Sequence, residues 1–190
     1  MARQARQTIS LRPVTAEDEG FLYSVYASTR EAELAGVDWT EEEKAAFLWQ
    51  QFKAQDRHYR EQYDGAVYDV IEVDSRPAGR LYVARWEGEI RIMEIALLPE
   101  YRSRGIGTSL LRQLLNKAAS TSRRVSIHVE KFNPARRLYA RLGFAEIADR
   151  GVYTLMVWSG RDGKASRENS FVPHTSLVGP DRHNEQIKGP

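Results

Sequence analysis

The 190-residue sequence contains no cysteine. That excludes disulfides, thiolate metal sites and a cysteine nucleophile together. Its four histidines, His58, His128, His174 and His183, fall at no metal-ligand spacing, and no His-Glu-x-x-His occurs, so no metal is expected. No apolar run approaches the ~18 residues of a membrane span. The opening MARQARQTIS has two arginines but no apolar stretch behind them, unlike a secretory signal. These absences predict a soluble, cytoplasmic protein without a membrane partner. Charge of one sign is also lacking. The net charge is +2, and Arg3, Arg6 and a slightly basic segment 159–190 account for more than all of it, leaving 7–158 one unit negative. A general nucleic-acid binder carries a basic footprint that this chain does not have.

What is present is a change of hydrophobic period along the chain. TISLRP reads as a short first strand. Phe21, Leu22, Val25 and Tyr26 follow at helical spacing behind a run of acids. Thr40 with Glu43 three residues later forms a capping box for a second helix that carries Phe47, Leu48, Phe52 and Tyr59. The period then falls to two. VYDVIEV, RLYVARW and IRIMEIALL predict an antiparallel meander, with DSRPAG and EGE as its turns. GTSLLRQLLNKAAS is a helix with Leu110, Leu111, Leu114, Leu115 and Ala118 as its buried stripe. RVSIHVE is a strand. NPARRLYARLGF is a short helix with Pro134 in its first turn and Gly143 as its C-cap. A hairpin around Arg150-Gly151 closes the fold. The order β α α β β β α β α β β predicts an α+β domain over residues 8–158. From 159 to 190 the sequence turns polar and loses any apolar period, the pattern of a flexible tail.

The stretch that asks for chemistry is ALLPEYRSRGIGTSLLRQLL, residues 96–115. A strand stops, two arginines and two glycines follow, and a helix begins. A helix start exposes unpaired N–H groups and a partial positive charge, and glycines before it let a ligand approach the backbone. Together they suit a phosphate. The P-loop is excluded because no Gly-Lys-Ser/Thr occurs, and the dinucleotide fingerprint fails because its third glycine would fall at Leu110. An ordinary strand–helix turn, with glycines for geometry alone, is the plainer reading.

Arg102-Ser103-Arg104-Gly105-Ile106-Gly107 resembles the [QR]xxGxG/A signature of the GNAT superfamily of N-acetyltransferases. IALLPEYR resembles the strand that leads into it, and NPARRLYARLGF the family's second motif, with Asn133, Leu138, Tyr139, Gly143 and Phe144 in place. The resemblance runs from about Thr8 to Trp158 and implies the GNAT fold, a mixed but mostly antiparallel central sheet flanked by helices. It implies acetyl-CoA as co-substrate. The pyrophosphate would rest on backbone N–H groups of Arg102, Ser103, Arg104, Gly105, Ile106, Gly107 and Thr108. Pantetheine would pair with Ile95 and Leu97, and Asn133 would hold its amide side. Arg136 or Arg137 would reach the adenine or the 3′-phosphate.

The reaction implied is acetyl transfer to an amine. An alkyl amine has a pKa near that of lysine, about 10.4, so it must lose a proton before it attacks. Tyr139 stands at the family's acid position. Two groups are candidate bases. Glu94 lies in the strand before the glycine corner, where alternation would put it on one face with Ile90, Ile92 and Ala96. His128 lies five residues before Asn133. Proton loss through water, with no single base, is a third possibility. Absence of cysteine favours direct transfer in a ternary complex over an acyl-enzyme. By the resemblance, the first two helices would meet the acceptor, with Gln51, Gln55 and Tyr59 on one helix face and Arg30 at the end of the first. A small-molecule or peptide amine is the expected partner, and a homodimer is possible. The rival readings are a CoA-binding sensor without transferase activity and an enzyme using a longer acyl-CoA.

Overall fold

The computed structural model describes residues 7–160. The tail expected over 159–190 therefore lies almost wholly outside the described residues. The elements are β1 (Ile9–Pro13), α1 (Glu19–Leu34), α2 (Glu41–Gln62), β2 (Val67–Val73), β3 (Arg76–Trp86), β4 (Glu89–Leu97), α3 (Ile106–Ser120), β5 (Arg124–Glu130), α4 (Arg136–Arg141), β6 (Ala145–Arg150) and β7 (Tyr153–Trp158). Their order follows the expectation from the sequence. The Thr40–Glu43 capping box forms as expected, with Glu43 donating its N–H to Thr40 Oγ1 at 3.2 Å and Thr40 donating its N–H to Glu43 Oε2 at 2.8 Å. The turn after β2 is shorter than expected. Only Asp74 and Ser75 lie outside the strands, both at positive φ, and Pro77 sits within β3. No helix among the described residues is long and apolar enough to cross a membrane.

The strands form one sheet in the order β1-β2-β3-β4-β5-β7-β6. Every pairing is antiparallel except β4 with β5, where the α3 crossover brings the chain back in the same direction. One face packs on α3 and α4. Ile90, Ile92, Val125 and Ile127 meet Leu110, Leu111, Leu114 and Leu115 there, all buried. Full burial of such a side chain contributes about 1.5–3 kcal/mol. The other face carries α1 and α2, with Leu22, Tyr26 and Phe52 over Val70 as a smaller apolar cluster.

Two irregularities shape the C-terminal half of β4. β4 and β5 pair only from Glu89↔Arg124 to Ile92↔Ile127, so Met93–Leu97 of β4 has no partner on that side and the strands splay apart. In the same place β4 bulges. Val83 pairs with Ile92 but the adjoining Tyr82 pairs with Glu94, leaving Met93 as an extra residue. A single inserted residue exchanges the faces of everything beyond it. Ile90 and Ile92 face α3, whereas Glu94 and Ala96 face α1 and α2 beside Tyr82 and Arg80. The alternation expected from the sequence, with all four on one face, is thus broken at Met93.

Candidate functional site

The chain reaches α3 through a single 3-10 turn, Pro99–Tyr101, and a corner at Arg102–Gly105. Gly105 caps the helix at φ +80°, a conformation that suits glycine. The first bond of the helix runs from the Ser109 N–H to the Gly105 carbonyl at 2.9 Å. The N–H groups of Ile106, Gly107 and Thr108 precede it and are the helix's orphan donors. Nothing lies within 4 Å of a Cβ placed on Gly107, and its φ is not positive. A helical glycine costs about 1 kcal/mol against alanine. Gly107 thus has no internal reason to be glycine, but it leaves the donors open to a ligand from outside. Exposed Arg104 stands over the Tyr101 ring, 5.7 Å from its centroid. These features fit a phosphate group.

Two arginines expected at the phosphates are committed elsewhere. Arg102 turns back, donating from Nε to the Leu97 carbonyl at 2.8 Å and from Nη2 to Ser28 Oγ and its carbonyl at 2.8 and 3.0 Å. Its N–H bonds to the Pro99 carbonyl at 3.1 Å. The cradle therefore starts at Ser103, and Arg102 clamps the end of β4 to α1. The Leu97 carbonyl is likewise taken. Arg136 donates to the Lys131 carbonyl and to Glu146, both at 2.5 Å, which holds the β5–α4 loop to β6.

The splay between β4 and β5 opens a cleft of about 170 Å³ at the same end of the sheet. Of the residues singled out in the sequence, Arg30, Gln55, Tyr59 and Glu94 line it, as do Ile95, His128, Asn133 and Tyr139. Gln51 does not, one helical turn away on α2. Asn133 Oδ1 accepts from the Ala135 N–H at 2.8 Å, an Asx turn just before α4 that leaves the amide nitrogen for the cleft. Tyr139 is buried from α4, its ring edge-on to Phe144 at 5.6 Å. Burial pushes its phenol above the usual range, so it stays protonated.

Glu94 does not sit among apolar neighbours. Its Oε1 accepts from Arg80 Nη2 at 2.5 Å and Nε at 3.1 Å, while Oε2 is sealed from solvent without a partner among the described residues. Arg80 is 1% exposed. It also donates to Gln55 Oε1 at 3.0 Å and lies 5.3–5.9 Å from the ring centroids of Tyr82, Tyr26 and Phe52. Burial works to lower its pKa, but Glu94, Tyr82 and Tyr59 outweigh it and hold the guanidinium charged. Gln55 thus turns its Oε1 onto a buried cation while its side chain still lines the cleft. Tyr59 is buried with its hydroxyl 3.5 Å from the Met93 carbonyl. Burial, then the charge on Glu94, raise its pKa.

His128 is not arranged as a base. Arg91 Nη1 lies 2.8 Å from its Nδ1, and an arginine can only donate, so that nitrogen's lone pair is occupied. Burial, then Arg91 and Arg150, push its pKa down to about 4. Arg80 and Glu33, which line or back the cleft, gave no signal in the sequence beyond an arginine at an inward strand position and an acid three residues from Arg30.

The match to a family model covers residues 22–144 and is to the acetyltransferase (GNAT) family. No curated protein matches the chain in sequence. Solved structures do match. The PaiA N-acetyltransferase of Thermoplasma acidophilum, in complex with coenzyme A, is 19% identical over 80% of this chain and 99% of its own, with a TM-score of 0.61. An acetyltransferase of Thermus thermophilus is 21% identical over 80% and 96%, with a TM-score of 0.57. A GCN5-related N-acetyltransferase of Rhodopseudomonas palustris is 19% identical over 83% and 99%, at 0.56. At such identities these neighbours speak for the fold. The family model spans well over half of the chain, and with it this protein belongs to the GNAT acetyltransferases.

Proposed function

We propose that the protein transfers an acetyl group from acetyl-CoA directly to a primary amine in a ternary complex. The observation that carries this reading is the pairing of two features at one end of β4: orphan N–H donors at Ile106–Thr108, and a cleft opened by the splay beside them. Ser103 to Thr108 would hold the pyrophosphate, Ile95 and Asn133 the pantetheine arm. Acetyl-CoA supplies the activated acyl group. The chain's own residues manage protons. Tyr139, kept protonated by burial, is the donor for the departing sulfur. Glu94 is the carboxylate on β4 that lines the cleft. It draws the amine's proton through an intervening water once the carboxylate turns toward the cleft, because Arg80 holds Oε1 and Oε2 is sealed from solvent.

Calorimetry with CoA on the Gly107→Asp variant tests the cradle. Its Cβ meets nothing inside the protein, so the fold is expected to persist while affinity drops roughly 100-fold or more by repulsion of the phosphates. Unchanged affinity in the folded variant overturns the donor assignment. Turnover of acetyl-CoA with any member of an amine library supports transfer, and CoA binding without turnover returns the sensor reading.

A further inference from the structure

Glu89, the first residue of β4, is buried and saturated. Its Oε2 accepts from Arg124 Nη2 at 2.8 Å and Nε at 3.0 Å. Its Oε1 accepts from Arg91 Nη2 and Nε at 3.0 and 3.2 Å, and from the Ser126 hydroxyl. Arg91, itself 6.0 Å from the Trp86 ring centroid, is left with one nitrogen, Nη1, and that nitrogen meets His128 Nδ1 at 2.8 Å. Every group in this row has its place fixed by the one before it.

The order of charges matters. A carboxylate behind a histidine accepts the Nδ1 proton and leaves Nε2 as a base. A guanidinium behind a histidine does the reverse. It occupies the Nδ1 lone pair, so the neutral ring must carry its proton on Nε2. His128 lines the cleft, and its Nε2 is neither sealed from solvent nor bonded to a described residue. The charged groups around it are Arg91 and Glu89 from β4, Arg150 from β6, and Glu130 on its own strand, which lines the same cleft with Arg30 of α1.

We propose that His128 is a fixed-tautomer hydrogen-bond donor that selects acceptor amines bearing an oxygen acceptor close to the amino group, with Glu89 and Arg91 as its positioning residues. An α-amino amide has such an oxygen, whereas a bare alkylamine or a second ammonium does not. The inference rests on the proposed transfer reaction for its substrate and on geometry for its tautomer, so two experiments separate them.

The first is NMR of the full chain with 15N-labelled histidine, the His128 signals being assigned by loss in His128→Phe. The expected result is the Nε2–H tautomer, unchanged from about pH 5 to about pH 8. Arg91→Met frees Nδ1 and brings a titration into that range, and Arg91→Lys, which still donates, restores the fixed state in part. A protonated Nδ1, or a titration near pH 6.5 in the unaltered protein, overturns the tautomer lock. The second compares kcat/KM for phenylalaninamide and phenethylamine. The ratio of the two is expected to fall about tenfold in His128→Phe, one neutral hydrogen bond, and to recover in part in His128→Gln. The differing basicity of the amines cancels in that change of ratio. An unaltered ratio overturns the selectivity. Absence of turnover with both amines overturns the substrate half of the inference, the transferase reading falls only when the whole amine library fails, and NMR still judges the tautomer.

Discussion

On the α3 side of the sheet, β4 and β5 present Ile90, Ile92, Val125 and Ile127 to a leucine stripe. On the α1–α2 side the same strands present Glu89, Arg91 and Glu94, with Ser126 and His128 beside them. The first face gains from area removed from water and is indifferent to direction. The second buries charge, which costs far more than an apolar group unless each donor and acceptor is matched. Burial on one side is therefore a matter of volume, and on the other a matter of partners.

The largest way to break this contrast is to remove one partner. Arg80→Met should cost about 3–5 kcal/mol in urea denaturation, because Glu94 is left buried and unpaired. Adding Glu94→Leu should recover part of that loss, and strict additivity would show that the pair is not coupled. On the aliphatic face, Leu111→Ala should cost about 2–5 kcal/mol, set by the cavity, and should add to any distant change. Tyr139 joins the two faces, rooted in the aliphatic core but lining the cleft. Tyr139→Phe should lower kcat roughly 100-fold with little effect on the KM of the acceptor, and a full rate would remove it from the acid role.

The smallest effect is in pH. His128 has a folded pKa near 4, below the ordinary value of about 6.5 in an unfolded chain. The unfolded state takes up that proton first, so stability should fall as pH drops from about 6.5 to about 4 and then level off. Discounted for partial exposure, the loss is about 1–2 kcal/mol, and His128→Phe should flatten that limb. Glu89 opens a separate, more acid window. Burial raises its pKa but Ser126, Arg91 and Arg124 lower it further, so its contribution is lost only below the ordinary glutamate range near about 4.3.

The elements and the glycine corner were legible because they are local. Periods of 3.6 and two, Thr40 with Glu43, and Gly105 before a leucine stripe each depend on a few neighbouring residues. The cleft was legible only in part. Tyr139, Asn133, Glu94 and His128 do converge, but what each can do is decided by partners far away in sequence. Glu94 looked like a base among isoleucines because alternation ignores a bulge, and nothing in IRIMEIALL marks Met93 as the extra residue. His128 looked like a base because Arg91 stands 37 residues earlier and meets it only through the parallel pairing of β4 with β5. Arg102 and Arg136 looked like phosphate ligands, yet Ser28 and Glu146 claim them.

The bulge gives β4 an unusual sensitivity to length. Exchanging Met93 for another residue keeps the count, and Glu94 stays over Arg80. Deleting it removes the bulge and leaves Glu94 opposite Tyr82, whereas inserting one more ladder residue there carries Glu94 round to the leucines of α3 and strands Arg80 in its ring of aromatics. In this strand the reading frame of the pleat, more than the identity of its residues, determines whether Glu94 meets Arg80 in the cleft.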